Sequence, residues 1–137
     1  CVEDFLDVLN WSEEIGGLEE LIRRSKDNLN IIKDWVSSST WVDFLCEDLN
    51  NLSNTSICLK LIDPKLISKS LETKNIIEKN IIKLLEENNV AFDIGSYRSA
   101  PPGLRIWGGP TVENDDIKKL LPWLDWAYHK SLSDLDI

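Results

Sequence analysis

Residues 94–112 read IGSYRSAPPGLRIWGGPTV, a stretch that is rich in turn-forming residues. It holds four of the six glycines and three of the five prolines of the protein. Between these turn-forming residues, the alternating run LRIW at 104–107 predicts a strand. In such a strand the leucine and isoleucine face the core, while Arg105 and Trp107 face the opposite side.

The charge of this stretch differs from that of the chain around it. Its only charged residues are Arg98 and Arg105, whereas the whole chain carries 15 − 24 = −9. A guanidinium makes two parallel hydrogen bonds to a carboxylate or a phosphate, which an ammonium group cannot do. The stretch therefore predicts an anion-binding site, although ion pairs with surface acids also explain both arginines.

Helical and extended patterns alternate on either side of this stretch. Apolar residues at three- and four-residue steps predict three helices, at 2–11, 18–37 and 71–88. Short apolar runs predict three further strands, at 41–46, 55–63 and 90–94. A last helix begins at Glu113, and Pro122 is expected either to kink or to restart it.

This order of elements predicts an α+β fold. We expect a small, mostly antiparallel sheet with helices packed on one face, preceded by long linking helices. The chain then divides into linking helices at 1–40 and a small α/β domain at 41–137. Trp123, Trp126 and Tyr128 have a helical spacing that is typical of core packing.

Composition excludes several classes of function. The net charge of −9 disfavours nucleic acid and anionic membranes as partners. The three cysteines lack the spacing of a zinc or redox motif, which favours a reduced, cytoplasmic location.

The sequence contains no methionine. N-terminal processing or trimming is one explanation for this. The other, which we expect to hold, is that the chain is a piece of a longer protein.

Four segments resemble a known family. They are VAFDIG at 90–95, the pair Tyr97-Arg98, APPGLRIW at 100–107 and LPWLDWA at 121–127. They are similar to the C-terminal end of phosphoserine aminotransferase, in the branch common in alphaproteobacteria. The resemblance covers nearly the whole chain, and APPGLRIW is its most specific part.

The resemblance implies the small domain of a class V, fold-type-I aminotransferase that depends on pyridoxal phosphate. Such enzymes convert glutamate and 3-phosphohydroxypyruvate to phosphoserine in serine biosynthesis, and they are homodimers. In the family the lysine that holds the cofactor belongs to the large N-terminal domain. We therefore expect this chain alone to be inactive and to bind no pyridoxal phosphate.

The resemblance also implies roles for three substrate-binding residues. Arg105 matches the arginine that binds the substrate α-carboxylate, and Arg98 matches the one that helps to hold the phosphate. Tyr97 stands where many relatives have histidine, so it is at most a hydroxyl donor. No catalytic residue and no metal ligand is expected in this chain.

Two other functions fit the same residues. One is a stand-alone module that binds a small anion and regulates a partner. The other is the small domain of a different class V enzyme, such as a small-amino-acid:glyoxylate aminotransferase, which also presents a carboxylate-binding arginine.

Overall fold

A computed structural model describes all residues, 1–137. Four α-helices and three β-strands follow one another in the order α1 (Val2–Glu14), α2 (Gly17–Ser38), β1 (Val42–Phe44), β2 (Ser56–Leu61), α3 (Leu71–Glu87), β3 (Gly103–Trp107) and α4 (Asn114–Asp134). Two short 3₁₀ turns, at Leu49–Asn51 and Pro64–Leu66, flank β2. None of the helices is both long enough and apolar enough to cross a membrane.

The three strands form one antiparallel sheet in the order β1-β2-β3. One face is apolar, and its residues join helix residues in a single core of 21 buried side chains. The opposite face carries Cys58 directly across from Arg105, and Asp43 across from Lys60. The predicted α+β class, with an antiparallel sheet covered on one face, is confirmed, and the alternation at 104–107 is confirmed with it.

The predicted helices agree with the structure to within a few residues, and α4 continues through Pro122. Proline has no amide hydrogen, so Pro122 leaves the Lys118 carbonyl, four residues earlier, without a partner in the helix. Both residues lie on the exposed side of α4, where this carbonyl can face solvent. Ile32 and Val36 of α2 belong to the same core as the sheet. The division of the chain at residue 40 stays a prediction.

The strand predicted at 90–94 is wrong. Asn89 and Asp93 have positive φ angles, 54° and 53°, and two left-handed residues interrupt any extended run. The Val90 amide instead donates to the Leu85 carbonyl and closes the end of α3. The segment meets the sheet only at a bridge between Gly95 and Leu104, so β3 is the last strand at this edge.

Two of the three aromatic residues predicted in the core are at the surface. Tyr128 is fully buried and stacks on Trp41 with ring centroids 4.2 Å apart. Trp123 and Trp126 are 39% and 40% exposed and form an edge-to-face pair with each other. Helical spacing is compatible with core packing for all three, but only Tyr128 lies on the buried side of α4.

The edge strand β3 lies very close to the backbone of β2 at Gly103. A Cβ added to Gly103 would lie 1.9 Å from the carbonyl oxygen of Leu59 and 3.0 Å from its carbonyl carbon. Both atoms belong to the backbone of β2 and cannot rotate away. Only glycine therefore lets β3 begin at this register.

We expect Gly103→Ala to lower the free energy of unfolding by about 1–3 kcal/mol, since β3 must move away from β2. Urea denaturation measures this loss. The matched control is Gly17→Asn, because Gly17 has φ 70° with no atom within 4 Å of an added Cβ, and asparagine tolerates that conformation. Equal stability of the two variants would contradict the prediction.

Candidate anion-binding site

A buried carboxylate fixes the loop that leads into β3. Glu78 on α3 is only 9% exposed, and its Oε1 accepts hydrogen bonds from the Ser96 amide at 2.9 Å and the Ser96 hydroxyl at 2.7 Å. Its Oε2 lies 3.4 Å from the Gly103 amide, which is the donor. One side chain thus holds both ends of the loop at 96–103.

A buried amide holds the chain that leaves β3. Asn28 on α2 is fully buried, and its Nδ2 lies 2.9 Å from the Val112 carbonyl and 3.2 Å from the Gly108 carbonyl. Its Oδ1 accepts from the Asn114 side chain at 2.9 Å. Because both ends of β3 are anchored to helices, the residues of this strand have well-defined directions.

Arg105 projects from the open face of β3 and is held by two partners. Its Nη2 donates to the Asp93 carboxylate at 2.8 Å and to the Asp93 carbonyl at 3.2 Å. Its Cζ lies 4.5 Å from the centroid of the Tyr97 ring, a cation–π contact. The Arg105 side chain is 23% exposed, so it is partly shielded yet reachable from solvent.

Tyr97 connects this guanidinium to β2. Its hydroxyl lies 3.0 Å from the Ser56 hydroxyl. That hydrogen bond and the neighbouring Arg105 lower the pKa of Tyr97 below its ordinary value. In turn, the Tyr97 hydroxyl and the nearby Asp93 charge raise the pKa of Arg105 above its ordinary value. The Arg105 side chain therefore keeps its positive charge, and the phenol of Tyr97 beside it is more acidic than that of an ordinary tyrosine.

Arg105 forms one wall of a cavity of about 510 Å³ along the free edge of β3. Most of its lining is apolar and comes from the segment at 90–94, from β3 and from the first turns of α4. The polar lining consists of Ser56, Asp93, Tyr97, Arg105 and Asp116. A small ligand with an anionic group and an apolar or planar body fits this combination.

The structure brings two of the three predicted site residues together. Tyr97 and Arg105 are in contact and line the cavity. Arg98 is exposed in the adjacent loop, makes no ion pair and does not line the cavity. Its predicted role toward a phosphate stays a prediction.

The sequence pattern missed Asp93, Ser56 and Glu78 as residues of this site. Asp93 immediately precedes the stretch at 94–112, and only its pairing with Arg105 reveals its position. Ser56 meets Tyr97 because β2 and β3 are neighbours, which no local pattern contains. Glu78 is one of several charged residues of its helix, and only its contacts with Ser96 and Gly103 distinguish it from the others.

The cavity does not contain the residues of a complete pyridoxal phosphate site. No lysine lines it or the second cavity, of about 250 Å³, near Cys46 and Cys58. Lys60 lies on the open sheet face opposite Asp43 and Gly103. Lys60 shares this face with Arg105 but does not line the cavity, and the expectation that this chain binds no cofactor stays a prediction.

The fold of this chain is similar to one part of solved aminotransferases, which is the class of protein that the resemblance implied. A solved phosphoserine aminotransferase from Bacillus circulans subsp. alkalophilus superposes with a TM-score of 0.69 at 25% identity, over 90% of this chain and 30% of that one. A second, from a study of radiation damage to the Schiff base in phosphoserine aminotransferase, has a TM-score of 0.67 at 15% identity, over 88% and 30%. The latter shows the fold alone.

Curated relatives of the chain are phosphoserine aminotransferases. The chain is 46% identical to the phosphoserine aminotransferase of Methanosarcina barkeri over 93% of its own length and 32% of the relative's. It is 44% identical to that of Methanosarcina mazei, over 92% and 31%. No protein-family model matches. The predicted resemblance is confirmed: the chain is homologous to phosphoserine aminotransferase, spans about a third of the length of these relatives, and is consistent with the C-terminal part.

We expect Glu78→Gln to loosen the loop at 96–103, because an amide group replaces one of the two accepting oxygens. Amide hydrogen exchange at Ser96 and Gly103 should accelerate, and the free energy of unfolding should fall by about 1–3 kcal/mol. Glu87→Gln, at an exposed position of the same helix, is the control and should change neither quantity. Unchanged exchange at both amides would show that Glu78 does not hold the loop.

The pKa values of the two tyrosines are shifted in opposite directions from the ordinary value. The pKa of Tyr97 is lowered, whereas burial and a 2.7 Å hydrogen bond to Asp63 raise the pKa of Tyr128 far above its ordinary value. Absorbance at 295 nm should therefore rise in two separate steps as the pH increases. Tyr97→Phe should remove the early step, and Ser56→Ala should move it to higher pH. A single step for both tyrosines would refute this assignment.

Proposed function

We propose that this chain forms the substrate-anion-binding part of a phosphoserine aminotransferase, which transfers an amino group from glutamate to 3-phosphohydroxypyruvate. The observation that carries the proposal is the placement of Arg105. Its guanidinium stands on a strand anchored at both ends, in a half-open cavity, in a chain homologous to these enzymes. Glyoxylate enzymes offer a similar arginine, but the relatives found favour the phosphoserine enzyme.

Arg105 would bind the α-carboxylate of the substrate. A planar guanidinium donates two parallel hydrogen bonds to a carboxylate, which fixes the orientation of the ligand as well as its position. The contact with the Asp93 carboxylate supports this role, since a carboxylate oxygen already lies 2.8 Å from Nη2. Positioning of this kind contributes to catalysis without any covalent step.

Tyr97 and Arg98 would hold the other end of the substrate. The Tyr97 hydroxyl faces the Ser56 hydroxyl at the cavity, and both can donate to a phosphate oxygen. Arg98 is exposed and unpaired, so it is free to meet a phosphate that enters beside the loop. A ligand with a carboxylate at one end and a phosphate at the other would engage both arginines.

The chemistry itself would come from pyridoxal phosphate in the complete enzyme, where the cofactor acts as an electron sink. This chain would bind and orient the substrate, and by itself it would be inactive and free of cofactor. We further propose that the complete enzyme is a cytoplasmic homodimer that acts on small molecules. The net charge of −9 supports the absence of nucleic acid and membrane partners.

A chimera tests the role of Arg105. The chain replaces the homologous segment of the Methanosarcina barkeri enzyme, and we expect the chimera to make phosphoserine from glutamate and 3-phosphohydroxypyruvate. Arg105→Lys should lower kcat/KM for the keto acid by about 10- to 100-fold, since lysine keeps the charge but loses the paired hydrogen bonds.

The control for this experiment is Arg23→Lys, at an exposed position of α2 that pairs only with Glu20 and Asp27. It should leave kcat/KM unchanged. The proposal fails if the folded chimera is inactive, or if Arg105→Lys behaves like the control.

A further inference from the structure

We infer that Asp93 is a built-in competitor for the Arg105 site, so that a ligand carboxylate must displace the Asp93 carboxylate in order to bind. The inference rests on the proposed function of Arg105. It assigns to Asp93 a part in setting the affinity and the specificity of the site, a role that neither the homology nor the sequence motif indicates.

The Asp93 carboxylate occupies the position that a ligand carboxylate would take. Its Oδ2 accepts a hydrogen bond from Arg105 Nη2 at 2.8 Å, and the residue lines the same cavity. No other side chain or amide donates to this carboxylate. The side chain is 91% exposed, so water can take over its hydrogen bonds when it leaves.

The backbone of Asp93 makes a separate contact with the same guanidinium. Its carbonyl accepts from Nη2 at 3.2 Å, and the residue has a left-handed φ of 53°. The Ile94 carbonyl also accepts from the Arg105 amide at 2.8 Å. The main chain therefore positions Arg105 whether or not the carboxylate is present.

The ion pair between Asp93 and Arg105 is weak enough to exchange, because its carboxylate is exposed to water. Pairs between solvent-exposed charges contribute little because water and salt screen them. A ligand that brings a carboxylate replaces one charge-assisted hydrogen bond with another, and Asp93 swings into water. A ligand without an anionic group cannot replace the charge-assisted hydrogen bond between Asp93 and Arg105, so the Asp93 charge also discriminates against neutral molecules.

The rival explanation is that the Asp93 carboxylate positions Arg105 for the ligand. The two explanations predict opposite effects for Asp93→Asn, which removes the charge and leaves the backbone intact, because asparagine tolerates a positive φ. If the Asp93 carboxylate competes with the ligand, its removal tightens ligand binding. If it positions Arg105, its removal weakens ligand binding. Asp93→Gly, which also tolerates this φ, checks the result without any side chain.

The experiment titrates the 137-residue chain with O-phospho-L-serine and follows the Nε–Hε signals of its arginines by NMR. We expect Asp93→Asn to lower Kd about two- to fivefold, the size of an exposed ion pair. Asp116→Asn is the matched control, because Asp116 lines the same cavity but makes no ion pair with Arg105. It should change Kd by less than the Asp93 variants do. Thermal melting confirms that each variant is folded.

The outcomes separate this inference from the proposed function. If Arg105→Lys weakens binding and both Asp93 variants tighten it, the inference is supported. If Arg105→Lys weakens binding but the Asp93 variants leave it unchanged or weaker, or match Asp116→Asn, the inference is overturned while the proposed function stands. If Arg105→Lys leaves binding unchanged, the proposed function fails, and the inference fails with it.

Discussion

The candidate site depends on one buried carboxylate, that of Glu78. The loop at 96–103 contains two prolines and no regular hydrogen-bonded structure, so its free amides need acceptors from elsewhere. Glu78 supplies them from a helix that is itself packed in the core through Ile77 and Ile81. Burial of a carboxylate is costly unless hydrogen bonds compensate, and here three donors surround it.

Asn28 has the same function at the other end of β3. It lies on a different helix and holds the segment at 108–112 through carbonyl groups, whereas Glu78 holds amides. β3 is therefore tied to α3 before it begins and to α2 after it ends. A side chain on such a strand keeps its direction better than one on a loop, which matters for a guanidinium that must meet a planar carboxylate.

The sequence allowed the elements to be predicted but not the contacts between them. The alternation at 104–107 was sufficient to place Arg105 on the open face, because the period of a strand is a local property. The strand at 90–94 was wrong because side-chain hydrophobicity does not reveal that Asn89 and Asp93 adopt left-handed conformations. The burial of Glu78 depends on donors from residues 18 to 25 positions away, which no helical period contains.

The two explanations of Arg105 that the sequence left open are compatible in the structure. One was an ion pair with a surface acid, and the other was a site for an external anion. Arg105 pairs with Asp93, yet the carboxylate of that partner is almost fully exposed and the guanidinium lines a cavity. The Asp93 carbonyl and the Tyr97 ring also contact the guanidinium, so Arg105 keeps its position when the carboxylate leaves. Because the partner is held by a single weak interaction, the same pair can give way to a ligand carboxylate.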